Sequence, residues 1–340
     1  MSSGFWLTHV REIEAFAKTL KRGQVAELCK SAGGRPVYSI SFGDKRAICR
    51  TANYASAIAS GKPAAYFGET SGRTRSIVLI GAVHGMEVEN TMGLVNLANV
   101  IETGVDLAGN PRDAIADAAS RLRVVIVPLA CPDGRERQPR EDLIGGSAED
   151  QRLYCQGRYP DGTLMAHPDC KRVHPMPLDC KWLGGYFNDD GVNIQADCEF
   201  SDFMAEETRA LCRLVAAEAP EAVANMHSHS TGPVMFYTDT PFATAVDIRR
   251  AQVSEVCYRR LSEKGLRPLP PYRYKSSEGH FALDAMFHYL SGSLPIVCES
   301  PHGVASLPFT REEILEVQMT FYEVFLTILD REGLRPPLPA

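Results

Sequence analysis

The sequence predicts an α/β fold in three layers, α/β/α, around a mixed, mostly parallel central sheet. Three observations predict it. Apolar runs at residues 77–83, 123–130 and 294–300 have the near-continuous hydrophobicity of strands buried on both faces. Segments with helical spacing separate these runs, so strand and helix alternate along the chain. Residues 34–44, GRPVYSISFGD, alternate apolar and polar side chains between glycines, as a half-exposed strand does.

In chain order, Val10, Ile13, Phe16, Ala17 and Leu20 give the segment from Phe5 to Leu28 a helical spacing that ends near Gly23, so one or two helices precede the sheet. Residues 46–52 are a candidate hairpin partner for the strand at 34–44, and residues 55–68 fit no single pattern. The run from Ile77 to Val83, interrupted only by Gly81, is a core strand, and Val88, Met92, Val95 and Val100 then mark a helix to about Glu102. A short Ala-rich helix precedes the strand RVVIVPLA, which closes on CPDGRER.

Residues 135–190 break this rhythm. They are rich in Arg, Asp, Gly, Pro, Tyr and Cys without apolar periodicity, and form an irregular excursion that is functional or has a small fold of its own. Alternation resumes with a helix at 207–220, strands at 222–230 and 233–238, and a helix from Phe242 to Lys264. A proline-rich link at 268–276, a helix from Glu278 to Leu290 and the strand LPIVCES follow. The closing helix runs from Thr310 to Arg331, with Thr310 and Glu313 spaced as a capping box. The alternation continues on both sides of the excursion, which predicts one domain spanning residues 1–340.

The composition narrows the class. A net charge of −6 supplies no basic surface for a phosphate backbone, which excludes nucleic acid as an expected partner. No apolar run approaches the roughly 20 residues of a membrane span, and the N-terminus lacks a charged and apolar leader, so a cytoplasmic chain with no membrane partner is the default. The ten cysteines include no CxxC pair, which favours reduced, partly buried thiols over a disulfide framework.

The chemistry concentrates at three strand ends. His84 and Glu87 follow the core strand within HGME, where open α/β sheets place their ligands, and an imidazole with a carboxylate at this spacing can meet one zinc ion. A strand-end histidine with a first-turn acid suited to the helix dipole gives the same spacing, so the pair requires a third ligand. His227 and His229, two apart in ANMHSHS, point to one face of their strand, and strand parity allows either to ligate. Glu299 ends an apolar strand, where an acid is costly unless paired, solvated or functional.

The order of HxxE, Pro132-Asp133-Gly134, Gly191-Val192-Asn193-Ile194, Glu207-Thr208-Arg209-Ala210, His227-Ser228 and a late strand ending in Glu299 resembles the zinc carboxypeptidase family over residues 30–330. The resemblance implies one catalytic zinc held by His84, Glu87 and His227, with an open position for water. Glu299 is implied as the general base and acid that moves a proton from the water to the leaving amine. The implied activity is zinc-dependent hydrolysis of an amide bond in a small peptide. A deacylase of N-acyl amino acids, similar to aspartoacylase, shares the HGxE turn, and a zinc- or peptide-binding protein without catalysis is the reading from another class.

The departures concern the substrate. Where the family pattern has Asn-Arg, this chain has Gln195 and Ala196, so the arginine that grips a C-terminal carboxylate in the resembling enzymes is missing. Arg135, Arg137, Arg140, Lys171 and Arg172 are cations of the excursion that could replace it. His229, Gln195 and Tyr274 complete the candidate substrate contacts, with Tyr272 an alternative to Tyr274. Cys155, His167, Cys170, His174 and Cys180 raise the alternative of a second, structural zinc in the excursion, against packed thiols. The expected partner is a small peptide or acyl amino acid, and the sequence says nothing of oligomeric state.

Overall fold

The computed structural model describes residues 4–45, 48, 50–68, 74–197, 202–238, 242–274 and 281–336, with backbone alone at 236–238 and 272–274. Helix α1 (Val10–Ala17) buries Ile13 and Phe16 and leads to the hairpin of β1 (Gln24–Lys30) and β2 (Pro36–Phe42). Two short helices, α2 (Tyr54–Ala59) and α3 (Ala64–Phe67), precede β3 (Ser76–Gly81). Helices α4 (Val88–Thr103) and α5 (Asp113–Ala119) then lead to β4 (Arg123–Val127) and the short α6 (Pro132–Glu136), which Pro132 starts.

Within the excursion lie α7 (Ala148–Gln151), a π turn at Arg152–Gln156, and a small ladder of β5 (Gly157–Arg158) with β6 (Trp182–Leu183). Two 3-10 turns, Asp169–Arg172 and Ile194–Ala196, bracket its end. The alternating half then runs through α8 (Glu206–Glu218), β7 (Ala222–His229), β8 (Val234–Thr238) and α9 (Thr244–Glu263). It finishes with β9 (Tyr272–Tyr274), α10 (Leu283–Ser291), β10 (Leu294–Pro301) and α11 (Arg311–Arg331). The Thr310 and Glu313 capping box closes the N-terminus of α11.

Among the described residues, eight strands form one mixed sheet in the order β1-β2-β4-β3-β7-β10-β8-β9. Its centre, β4, β3, β7 and β10, is parallel, while β2 joins β4 and β8 joins β10 antiparallel. Side chains of β3 alternate between the two faces. Ile77 and Leu79 belong to the core shared with α4, α9 and α11, and Val78 and Ile80 to the core shared with α8 and α10. Each such fully buried side chain contributes roughly 1.5–3 kcal/mol. The three layers are therefore held from both sides, and the parallel strands present their carboxyl ends at one edge.

Three local expectations change. The helical spacing read from Phe5 to Leu28 extends only through α1, because residues 24–30 carry no buried apolar stripe and are mostly exposed; pairing with β2 makes them an edge strand. That strand takes the place expected for residues 46–52, whose positions 46, 47 and 49 lie outside the described residues, and the other edge of β2 belongs to β4. The proline-rich link contains β9, which extends the sheet beyond β8, and the helix expected from Glu278 begins at Leu283, with residues 275–280 outside the described residues.

Candidate metal centre

The turn after β3 is shaped by close backbone approach. Ala82 turns the chain with a φ of 48°, and Gly85 donates its N–H to the carbonyl of Gly185 at 2.6 Å. A Cβ on Gly85 would overlap the backbone of Gly134 and Arg135, and one on Gly185 would overlap Met86, so both positions require glycine. Glu87 is the N-cap residue of α4, and its N–H donates to the carbonyl of His84 at 3.0 Å. A buried polar relay fixes α4 against β7: Tyr322 Oη donates to Gln318 at 2.6 Å, Gln318 Nε2 to Asn90 at 3.0 Å, and Asn90 Nδ2 to Ser228 Oγ at 3.1 Å. Glu87 and His227 are thereby held in register.

His84, Glu87 and His227 converge. Their potential ligand atoms all lie within 4.8 Å of one another, and among the described residues they are the only group of three or more His, Cys, Asp or Glu so arranged. His84 Nδ1 faces one carboxylate oxygen of Glu87 at 2.8 Å and His227 Nδ1 faces the other at 3.0 Å. His84 Nε2 lies 3.2 Å from Asn193 Oδ1, which also accepts the backbone N–H of Gln195 at 3.0 Å. An atom that accepts from a backbone N–H is an oxygen, so His84 Nε2 must donate to it. The neutral His84 ring therefore turns a bare Nδ1 lone pair toward the Glu87 carboxylate. Only a proton or a metal ion reconciles two acceptors at that distance, and two imidazoles with one carboxylate are a donor set that suits zinc.

The electrostatics express the same crowding. Burial alone would raise the Glu87 carboxyl, but the His84 and His227 imidazoles outweigh it and hold Glu87 well below the usual carboxylate range. Burial lowers His84, whereas at His227 the Glu87 carboxylate outweighs burial and raises it. Glu299 is register partner to His227 across the parallel β7–β10 pair. Burial pushes its carboxyl up to about 8, against the pull of His227 and with the negative charge of Glu87. Its Oε2 atom is buried with no hydrogen-bond partner among the described residues.

The other candidate residues separate into near and far. His229 bonds the Gly232 carbonyl through Nε2 at 2.9 Å, so His227 is the strand histidine whose ring reaches the group. Gln195 lies beside it, its oxygen accepting from Asn225 at 2.8 Å and its Nε2 donating to Asp284 at 3.2 Å. Arg137 is spent on the Leu183, Gly184 and Phe187 carbonyls and on Asp189 at 2.6 Å. Arg140 pairs with Asp150 at 3.5 Å and lies over the Tyr154 ring, and the exposed Arg172 pairs with Asp169 at 3.0 Å. The Tyr272 and Tyr274 side chains lie outside the described residues.

The excursion lies directly against this group. Tyr186 stacks on the His84 ring, with centroids 3.8 Å apart and planes at 13°. Its cysteines serve two apolar clusters: Cys155 packs with Met86, Leu143 and Val304, and Cys170 with Met165, Met176 and Phe187. His174 accepts the backbone N–H of Asn193 at 2.9 Å. Cys155, Cys170 and His174, three of the five residues considered for a second zinc, are thus divided among separate contacts. Behind the group, His302 Nδ1 lies 3.2 Å from Glu89, both fully buried. Asn193, Tyr186 and His302 carry no signal in periodicity; for Asn193 the GVN triplet was the available sign.

The model of the family described as zinc carboxypeptidase matches residues 12–304 of the chain. No curated protein matches it. Among solved structures, a metallo-carboxypeptidase from Burkholderia cenocepacia is 15% identical with a TM-score of 0.57, the match covering 94% of this chain and 69% of that one. A carboxypeptidase A from Helicoverpa armigera is 12% identical with a TM-score of 0.56, covering 96% and 74%. A metallo-carboxypeptidase from Pseudomonas aeruginosa, in complex with (2-guanidinoethylmercapto)succinic acid, is 10% identical with a TM-score of 0.56, covering 94% and 68%. At such identities the likeness is one of fold.

Proposed function

The chain belongs to the zinc carboxypeptidase family and is a metallocarboxypeptidase-like hydrolase; from that premise we propose that it hydrolyses an amide bond in a small peptide or peptide-like substrate, with zinc bound by His84, Glu87 and His227. The observation that carries this reading is the facing of His84 Nδ1, His227 Nδ1 and the Glu87 carboxylate, with Glu299 Oε2 on the neighbouring strand without a hydrogen-bond partner among the described residues. A zinc ion held there would supply Lewis acidity for polarising a carbonyl and acidifying a water.

The chain's own residues do the rest. Asn193 holds His84 in the tautomer that leaves Nδ1 free, and the stacked Tyr186 limits rotation of the ring. Glu299 accepts a proton from the attacking water and returns it to the leaving nitrogen, a task for which its Oε2, without a hydrogen-bond partner among the described residues and opposite His227, is placed. A protein that only binds has no use for this placement of Glu299, which favours catalysis over the binding-only reading. The deacylase reading shares the HGxE turn, while the family match across residues 12–304 favours a peptide.

The test is hydrolysis of a panel of N-acylated dipeptides, their C-terminal amides and N-acyl amino acids by the zinc-loaded protein and by Glu299→Gln. The expected outcome is turnover of a peptide by wild type, lost in the variant with zinc retained. Turnover confined to N-acyl amino acids would replace this reading by the deacylase. No turnover of any class, with full zinc, would leave a binding protein.

A further inference from the structure

Just past the register pair of Pro301 and His229, the His302 N–H donates to the His229 carbonyl at 2.8 Å and continues the β10–β7 ladder by one bond. The side chain of the same residue turns back to α4. His302 Nδ1 lies 3.2 Å from Glu89 Oε1, with the two side chains 1% and 0% exposed. Beyond it the chain is hooked to the excursion, the Gly145 N–H donating to the Gly303 carbonyl and the Ala305 N–H to the Gly146 carbonyl, both at 2.9 Å.

His302 therefore joins β10, β7 and α4, the elements that carry Glu299, His227 and Glu87. Glu89 follows Glu87 in the first turn of α4, His229 follows His227 at the end of β7, and His302 lies just beyond Glu299 in the chain. The β7–β10 ladder fixes Glu299 to His227, and the bond from Asn90 to Ser228 fixes α4 to β7. The pair of His302 and Glu89 closes the remaining side, between α4 and the end of β10.

As a source of stability the pair is poor. Burial lowers the His302 ring, but the Glu89 carboxylate and the Cys155 thiol outweigh it and hold the ring well above the ordinary imidazole value, so the pair is ionic. Glu89 Oε2 is buried with no hydrogen-bond partner among the described residues. The desolvation of two such charges offsets most of their attraction, and apolar side chains of similar volume would hold the segments together as well. What the pair adds over apolar packing is a fixed direction and distance between α4 and the strand end.

We propose that His302 and Glu89 are positioning residues for the hydrolysis: their pairing sets where Glu299 stands relative to Glu87 and His227, and so acts on kcat and not on zinc or substrate binding. The assignment rests on the peptidase reading above. A general base tolerates little displacement from the proton it takes, and a misplacement of about 1 Å costs about a hundredfold in rate.

The experiment compares wild type, His302→Leu, Glu89→Met and the double variant His302→Leu/Glu89→Met. Melting temperature, zinc content, kcat and KM are measured for each, on the peptide that wild type hydrolyses. Each single change leaves a buried charged partner uncompensated and should lower the melting temperature, and the double, apolar on both sides, should recover most of it. The expected result is that the double, with stability recovered and zinc full, keeps KM within about twofold and loses kcat by about 10–100-fold. Should the double not fold, Glu89→Gln decides. It keeps an acceptor for His302 Nδ1 and should recover kcat about fivefold over Glu89→Met. Wild-type kcat in the double, equal kcat in Glu89→Gln and Glu89→Met, or loss of zinc along with kcat overturns the assignment and leaves the peptidase reading standing. A wild type that hydrolyses no peptide overturns the peptidase reading and this role together.

Discussion

Glu299 stands opposite His227 in the parallel register of β10 and β7, one strand away from a histidine whose Nδ1 faces Glu87 at 3.0 Å. The pairing brings a buried carboxylate oxygen, without a hydrogen-bond partner among the described residues, beside a metal-ligand candidate. Glu299→Gln keeps the size and removes the proton acceptor. Its kcat on the preferred peptide should fall by about a hundred- to ten-thousandfold, with KM and zinc content nearly unchanged. Retained turnover would remove Glu299 from the chemistry.

Asn193 orients His84 through the ring nitrogen that faces away from Glu87. Asn193→Ala frees the Nε2 hydrogen and the ring tautomer, and zinc affinity should weaken by about 10–100-fold in a chelator competition. Asn193→Asp retains an acceptor at the same place and should bind zinc at least as well as wild type. Unchanged affinity in the alanine variant would mean that Tyr186 and packing alone orient the ring.

Without metal, Glu299 also links folding to pH. Its carboxyl is raised from an ordinary 4.5 to about 8 by burial first of all. Between those values the folded chain holds a proton that the unfolded chain has released, so this group's contribution to stability is lost as pH rises. Glu87, held below its ordinary value, acts with the opposite sign and only in acid, where stability is lost as pH falls. The melting temperature of chelator-treated wild type should therefore decline from about pH 5 to pH 8 more steeply than that of Glu299→Gln. Parallel curves would show that Glu299 ionises normally in the folded chain.

Gly85 lets the metal-ligand turn touch the backbone of Gly134 and Arg135. Gly85→Ala forces these segments apart, at a cost of about 1–3 kcal/mol, and displaces His84 and Glu87 from His227. A lower melting temperature together with reduced zinc content is the expected outcome. An unaltered protein would mean that the turn can relax without moving its ligands.

Much of this architecture is legible in residue patterns where burial is symmetric. The runs of β3, β4 and β10 are apolar because both faces of a parallel strand are covered, and His84 after β3, His227 near the end of β7 and Glu299 near the end of β10 stand out as polar residues that such a sheet has no structural need to carry. Strand β1 is not legible: its side chains are largely exposed, and only pairing with β2 defines it. The excursion is the other blind region. Tyr186 reaches His84, and His174 reaches Asn193, through turns, a short ladder and a private apolar cluster, none of which has a period to read. The candidates Arg137, Arg140 and Arg172 are told apart from substrate contacts only by their partners, which are tertiary facts.

The most direct test is metal content by elemental analysis of protein purified without chelator, for wild type, His84→Ala and His227→Ala. About one zinc per chain in wild type, lost in both variants, is the result expected if residues 143 positions apart in sequence share one ion through Glu87. Zinc that survives both substitutions would contradict the assignment and place the metal elsewhere in the chain.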